Sequence, residues 1–192
     1  MFCANVHTFG TADTDQGSLG TYAIRRESFL FNVPPSLEPK HAAPLMCAGA
    51  TIFGALFTNG VNATHNVGVV GVGGLGSLAI EMATKMGCRV VAFSGSDSKR
   101  DEALSLGAVE FCVVPRGSSS SGSAVSVERK VDFLLVTGSG MPDWDVYLGV
   151  MERQGTVCAI TVAEGTMNVP YMQFLVNGLR FVGSVVASRW VQ

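Results

Sequence analysis

Val67-Gly68-Val69-Val70-Gly71-Val72-Gly73-Gly74-Leu75-Gly76 is the stretch that decides the fold. A β-branched run leads straight into closely spaced glycines, and beyond them Leu78, Met82 and Met86 continue an amphipathic helical pattern. Strand, tight turn and helix in this order give each glycine a task. Gly71 permits the turn, Gly73 lets the backbone approach a pyrophosphate, and Gly76 lets the helix lie close to the strand. The anion would rest on free N–H groups where Gly74 and Leu75 open the helix, at the positive end of its dipole.

Outward from this turn the chain alternates between short β-branched runs and helical ones, as a parallel sheet with crossover helices requires. Strands are expected at Asn66-Val72, Arg89-Ser94, Val109-Val114, Val131-Val136, Gly155-Thr161 and Phe181-Val186. Helices are expected at Leu75-Met86, Lys99-Leu106, Trp144-Arg153 and Pro170-Asn177. The third crossover, with Ser/Gly-rich Gly117 to Ser123, reads as a surface loop with a short helix or none. The predicted fold class is α/β, a doubly wound parallel six-stranded sheet of Rossmann type. Upstream, residues 1 to 20 read as loop and Thr21 to Val33 as extended chain. From Pro44 to Phe57 the residues suit a buried connecting helix with Pro44 in its first turn, ending near Asn59-Gly60.

The composition agrees with a sheet covered on both faces, since 47% of the 192 residues are hydrophobic and only 15% charged. A net charge of -2 offers no basic field, so nucleic acid is not an expected partner. No run reaches the roughly 18 consecutive apolar residues of a membrane span, so no membrane partner is expected either. The N-terminus does not read as a signal peptide, which points to a cytoplasmic location. Cys3, Cys47, Cys88, Cys112 and Cys158 are odd in number and form no CxxC pair, so disulfides are not expected.

The end of the second strand chooses between the two nicotinamide coenzymes, because an acidic residue there bonds a ribose 2′-hydroxyl and repels a 2′-phosphate. Ser94 holds that place, and Gly95-Ser96-Asp97-Ser98-Lys99-Arg100 follows. Hydroxyls at Ser94 and Ser96 and the Lys99 ammonium suit a 2′-phosphate, so NADP(H) is favoured over NAD(H), with Asp97 opposing. The alternative stays open that Ser98 merely caps the next helix and Lys99-Arg100 is its solvated first turn. Asp143, Trp144 and the Met-rich stretches read as a helix start and core filling rather than a recognition site.

These motifs resemble the zinc-dependent medium-chain alcohol dehydrogenases, and among them the NADP-using branch similar to cinnamyl-alcohol dehydrogenases. Ala42 to Thr51 is similar to that family's helix bearing a catalytic zinc ligand, Gly71 to Gly76 to its coenzyme turn, and Ser94 to Lys99 with Glu102-Ala103-Leu104 to its 2′-phosphate segment. Phe2-Cys3 resembles the last cysteine of its structural-zinc lobe. The resemblance implies that Cys47 is one zinc ligand and that Thr51 lies near the nicotinamide. It also implies that Thr137, Ile160 and Ser184, at the ends of the later strands, complete the coenzyme contacts. The family's other zinc ligands would fall upstream of Met1, and His7, His41 and His65 do not match them. Zinc is therefore expected in the full-length family and not to be retained here. Thr161 stands where the family usually has glycine and is expected to crowd the nicotinamide side.

On this resemblance residues 1-40 are a remnant of a GroES-like catalytic domain, 41-65 a connecting helix and 66-192 the NADP-binding domain. The implied activity is hydride transfer between NADP(H) and a small-molecule alcohol or aldehyde. Two alternatives are a truncated relative that binds NADP(H) without zinc catalysis, and a zinc-independent quinone or enoyl reductase. Family members pair through the last strand, so a homodimer through residues 181-186 is expected.

Overall fold

The computed structural model describes residues 5–7, 10, 12, 14, 17, 19–114 and 125–188. The chain divides into two compact units, Met1–Pro44 and Leu45–Gln192. In the first, Thr21 to Val33 makes no strand; it carries a 3-10 turn at Glu27–Phe29 between extended residues Arg26 and Leu30. Tyr22, Ile24, Phe29 and Leu30 are exposed, so this locally extended chain lacks the ladder that would make it a strand. Its helix, α1, runs Pro39–Pro44. Pro44 therefore lies inside a helical run instead of opening one. A π-type turn, Leu45–Gly49, follows, as is common where a proline removes an amide donor.

The second unit carries α2 (Ala50–Thr58), β1 (Asn66–Val70), α3 (Gly74–Lys85), β2 (Arg89–Ser94), α4 (Arg100–Ser105), β3 (Glu110–Val113), β4 (Val131–Val136), α5 (Trp144–Gly149), β5 (Met151–Ala159), α6 (Tyr171–Val176) and β6 (Arg180–Gly183). The six strands pair in the order β3-β2-β1-β4-β5-β6, all parallel. This is the doubly wound α/β sheet expected, and its order reverses between β1 and β4. Side chains alternate between two apolar layers. Val67, Val69, Val90, Ala92 and Leu135 meet α2 and α3 on one face, while Val70, Val91, Phe93, Leu134 and Val136 meet α5 on the other. Full burial of each Val or Leu is worth about 1.5–3 kcal/mol, so residues alternating along one strand hold helices on both sides.

Asn66 begins β1 fully buried, with its side chain donating to the carbonyls of Arg129 and Lys130 and its amide donating to Asp132. This fixes where β1 enters beside β4. On α2, Phe53 and Phe57 stack at 5.6 Å and stay exposed, so only one face of that helix is buried. By length and composition the run Pro39–Thr58 could cross a membrane, contrary to the sequence reading; 44% of its window is buried inside the protein.

The last two strands depart from expectation. α5 stops at Gly149 rather than Arg153, and β5 starts at Met151 rather than Gly155. Val131 pairs with Met151 but Phe133 with Thr156, so four residues, 152–155, sit opposite the single Asp132 and form a bulge, with Gln154 at φ 61°. Gly155 closes the bulge, because a Cβ there would lie 2.9 Å from the Glu152 carbonyl oxygen and 3.2 Å from that of Asp132. β6 is the edge strand but only four residues long, shorter than the Phe181-Val186 expected. In the third crossover the residues from Gly117 to Ser123 lie outside the described ones, and those described, 125–130, form no helix. Met46, Met141, Met167 and Met172 are exposed, so these methionines do not fill the core as expected, whereas Met151 does.

Candidate functional site

β1 delivers the chain to the turn at Val70. Gly71 adopts φ +93°, a left-handed conformation, and its N–H donates to the Phe93 carbonyl at 2.7 Å. The turn is held from β4, where the Thr137 hydroxyl lies 2.8 Å from the Val70 carbonyl oxygen and 2.9 Å from that of Gly71. Gly76 lies so close beneath that a Cβ there would sit 2.9 Å from Thr137 Oγ1 and closer still to the Gly71 carbonyl oxygen. Gly73 and Gly74 have nothing within 4 Å of a built Cβ. The glycines thus do two jobs. Gly71 and Gly76 are demanded by the fold, whereas Gly73 and Gly74 leave clear space above the first turn of α3.

That helix has twelve residues, and its N-cap, Gly73, has no side chain to satisfy the first N–H groups. They face the crevice outside the carboxyl ends of the strands where the sheet order reverses. Beside it opens a cavity of about 270 Å³, whose lining includes Gly71, Phe93, Ser94, Val136, Gly138 and Tyr147. Phe93 and Tyr147, both buried, meet edge to face at 5.6 Å and contribute to its lining. The loop 138–143 supplies much of the rest of the lining. Sequence reading missed this loop as a site element, although Gly138-Ser139-Gly140 directly after a strand at the reversal point was a usable signal.

Gly71, Gly73, Gly74, Leu75, Gly76, Ser94 and Thr137 are thus gathered at the carboxyl ends of β1, β2 and β4. Ile160 follows β5 and belongs to the buried core, and Ser184 follows β6, its N–H donating to the Ala159 carbonyl. Thr161 turns its hydroxyl onto the carbonyls of Val136 and Gly138, at 2.9 and 2.7 Å. The hydroxyl therefore ties β5 to β4 rather than pointing freely into the cleft.

After β2, Ser94 is buried and the Ser96 and Ser98 hydroxyls lie 2.9 Å apart. Ser98 caps no helix: it sits inside a 3-10 turn, Asp97–Lys99, that precedes α4. Both nearby cations are engaged. Lys99 Nζ donates to Glu102 Oε2 at 2.7 Å, and Arg100 pairs with Asp97 at 2.7 Å while lying over the Phe111 ring. The Lys99 ammonium beside Glu102 holds its carboxyl below the usual carboxylate range.

Cys47 lies in the π-type turn with its thiol exposed, and Thr51, one turn on, donates its hydroxyl to the Cys47 carbonyl at 2.7 Å. Thr51 is buried and its proton is spent within the helix. Among the described residues no three His, Cys, Asp or Glu side chains cluster as metal ligands, and Cys3 lies outside them. His65 accepts the Asn62 N–H at 3.1 Å in its own loop, and His41 is exposed on α1. A zinc ion with one open position needs three protein ligands, and these residues do not meet that requirement.

Sheet order, glycine turn and uncapped helix define a dinucleotide-binding domain. Residues 74–192 match the family model of the zinc-binding dehydrogenases, and the chain belongs to that family. It is 31% identical over 191 residues to "Probable cinnamyl alcohol dehydrogenase 1" of Oryza sativa subsp. japonica, covering 96% of this chain and 52% of that protein. It is 33% identical to a probable formaldehyde dehydrogenase of Bacillus subtilis (strain 168), covering 97% of this chain and 54% of that one. A solved cinnamyl alcohol dehydrogenase from Sorghum bicolor superposes with a TM-score of 0.76 at 30% identity, over 86% of this chain and 46% of that one. A second structure, described as CAD from Helicobacter pylori complexed with NADP(H), gives 0.71 at 28% identity, over 84% and 45%. The chain spans about half the length of the curated relatives it matches.

Proposed function

We propose that this chain is the coenzyme-binding half of an alcohol dehydrogenase-type oxidoreductase that uses NADP(H). The observation that carries the reading is the open space above Gly73 and Gly74 at the start of a twelve-residue helix with no side-chain cap. A diphosphate fits there because it supplies the acceptors those N–H groups lack. The cavity walled by Phe93 and Tyr147 then takes the adenine, and the hydroxyls of Ser94 and Ser96 with Lys99 face the ribose phosphate. The choice of NADP(H) draws on the absence of an acidic residue at Ser94 and on the coenzyme in the Helicobacter pylori neighbour.

When bound, the nicotinamide supplies the hydride chemistry, with an alcohol or aldehyde as the reaction partner. This chain's own residues fix the coenzyme. The amides after Gly73 hold the diphosphate, and Thr137 locks the turn. Thr51, Ile160 and Ser184 are the candidates nearest the reacting end. No step is assigned to zinc, since Cys47 stands without companion ligands among the described residues. This favours a second reading, in which the chain by itself binds coenzyme without turning over alcohols.

Calorimetry with NADPH tests the coenzyme reading: saturable binding with one site per chain is expected, and no heat with either reduced coenzyme refutes it. Metal analysis separates the catalytic readings. About one zinc per chain, lost together with turnover on Cys47→Ala, would restore the metal-assisted reaction. NADPH oxidation by a quinone or enoyl substrate in the presence of chelator would instead point to a reductase. We further propose residues 1–40 as the remnant of a GroES-like domain. A homodimer through the β6 edge is proposed too; a monomeric mass by light scattering would count against it. The free thiols of Cys47, Cys88, Cys112 and Cys158 suit the reducing cytosol, which subcellular fractionation can check.

A further inference from the structure

Lys99 is the cation that the coenzyme reading offers to a ribose 2′-phosphate, and in the structure a carboxylate already holds it. Glu102 accepts from Lys99 Nζ through Oε2 at 2.7 Å. Through Oε1 it faces Ser77 Oγ, 3.3 Å away on the first turn of α3. Glu102 therefore bridges the segment after β2 to the helix that opens the glycine turn. Arg100 is engaged as well, its guanidinium pairing with Asp97 and donating to the Phe111 carbonyl at 3.4 Å. From Ser94 to Glu102 two cationic side chains face three carboxylates, leaving the segment at -1. Its field does not draw in a phosphate dianion; the phosphate must win the ammonium from Glu102.

We propose that Glu102 is a specificity-determining residue whose carboxylate competes with the ribose 2′-phosphate for Lys99, and so moderates the preference for NADP(H) over NAD(H). The proposal rests on the coenzyme reading above. It costs little to undo the pair, since both side chains are nearly half exposed and such pairs are weak. A coenzyme ending in a 2′-hydroxyl needs no ammonium and is indifferent to Glu102.

The test is calorimetry with NADPH and with NADH on the wild-type chain, Glu102→Gln, Lys99→Ala and the double variant, with melting curves to show that all four are folded. Glu102→Gln should tighten NADPH by about three- to tenfold, from the freed ammonium, and leave NADH within about twofold. The gain should vanish when Lys99 is absent, which a purely structural effect of Glu102 would not produce. Weaker or unchanged NADPH binding, an equal change for both coenzymes, or a gain that survives Lys99→Ala overturns the proposal while leaving the coenzyme reading intact. Failure of the wild-type chain to bind either coenzyme overturns both.

Discussion

Replacing the turn glycines one at a time by alanine separates those that build the fold from those that leave room for a ligand. At Gly76 the new methyl would lie 2.9 Å from both the Gly71 carbonyl carbon and Thr137 Oγ1 and press on the Gly71 carbonyl oxygen. These are backbone atoms and a side chain anchored by two carbonyls, so the methyl cannot be absorbed by a rotamer change. Overpacking of this kind costs about 1–3 kcal/mol, and weakening the Thr137 hydrogen bonds adds about 1 kcal/mol. Against this stands the gain of about 0.8–1 kcal/mol for alanine over glycine within a helix. The net expectation for Gly76→Ala is a loss of about 1–3 kcal/mol, with coenzyme binding lost alongside as the turn is displaced. Gly73 is the contrasting case. Its backbone is at φ -122°, ψ -161°, which alanine accepts, and no atom lies within 4 Å of the built Cβ. Gly73→Ala should unfold within about 0.5 kcal/mol of wild type yet bind NADPH at least about tenfold more weakly, because the methyl occupies the approach to the diphosphate. Urea denaturation and calorimetry on the two variants give both quantities. Wild-type stability of Gly76→Ala, or undiminished NADPH binding by Gly73→Ala, would refute the division.

Other residues give independent tests. Burial pushes the Cys158 thiol up to about 12 from its ordinary value of 9.0, so above pH 9 only the unfolded chain ionises. Stability should therefore fall with rising pH by up to about 1.4 kcal/mol per unit from this group, a slope that Cys158→Ala should reduce in urea melts between pH 9 and 11. Alkylation followed by mass spectrometry should label exposed Cys47 in the native protein and reach Cys158 only after unfolding. Asp143 caps α5 by accepting the Asp145 N–H at 3.2 Å, and Asp143→Ala should cost about 0.5–2 kcal/mol, seen as a lowered melting temperature. Gly155→Ala should destabilise by about 1–3 kcal/mol, because the bulge in β5 leaves no space for a methyl; an unchanged melting curve would show that the bulge relaxes freely.

The sheet and its glycine turn were legible because their signals are local. Alternation in Val67-Gly68-Val69-Val70 marks a strand whose side chains go to two buried faces, and the glycines that follow must be where strand and helix nearly touch. The boundaries of β2 and β4 were readable for the same reason. Less visible was the start of β5, where Met151 to Gln154 look helical in sequence but Met151 pairs with Val131 of β4 and the three residues after it enter a bulge. Thr21 to Val33 failed in the opposite sense, having strand-like residues with no partner strand beside them.

The site divides along the same line. Which residues could bind a diphosphate follows from the order of glycines and helix alone, since each N–H left over at a helix start is a property of a few consecutive residues. Lys99 with Glu102 and Arg100 with Asp97 were within reach of a spacing argument, both being three residues apart, yet the same cations read equally well as free. Which partner a charge chooses depends on distances among several competing side chains. The cavity lining that 138–143 shares with Phe93, and the turning of Thr161 onto β4, depend on residues far apart in the chain. A sequence orders neighbours along the backbone, but contacts between distant segments exist only once the strands have paired, and that is where tertiary structure alone decided.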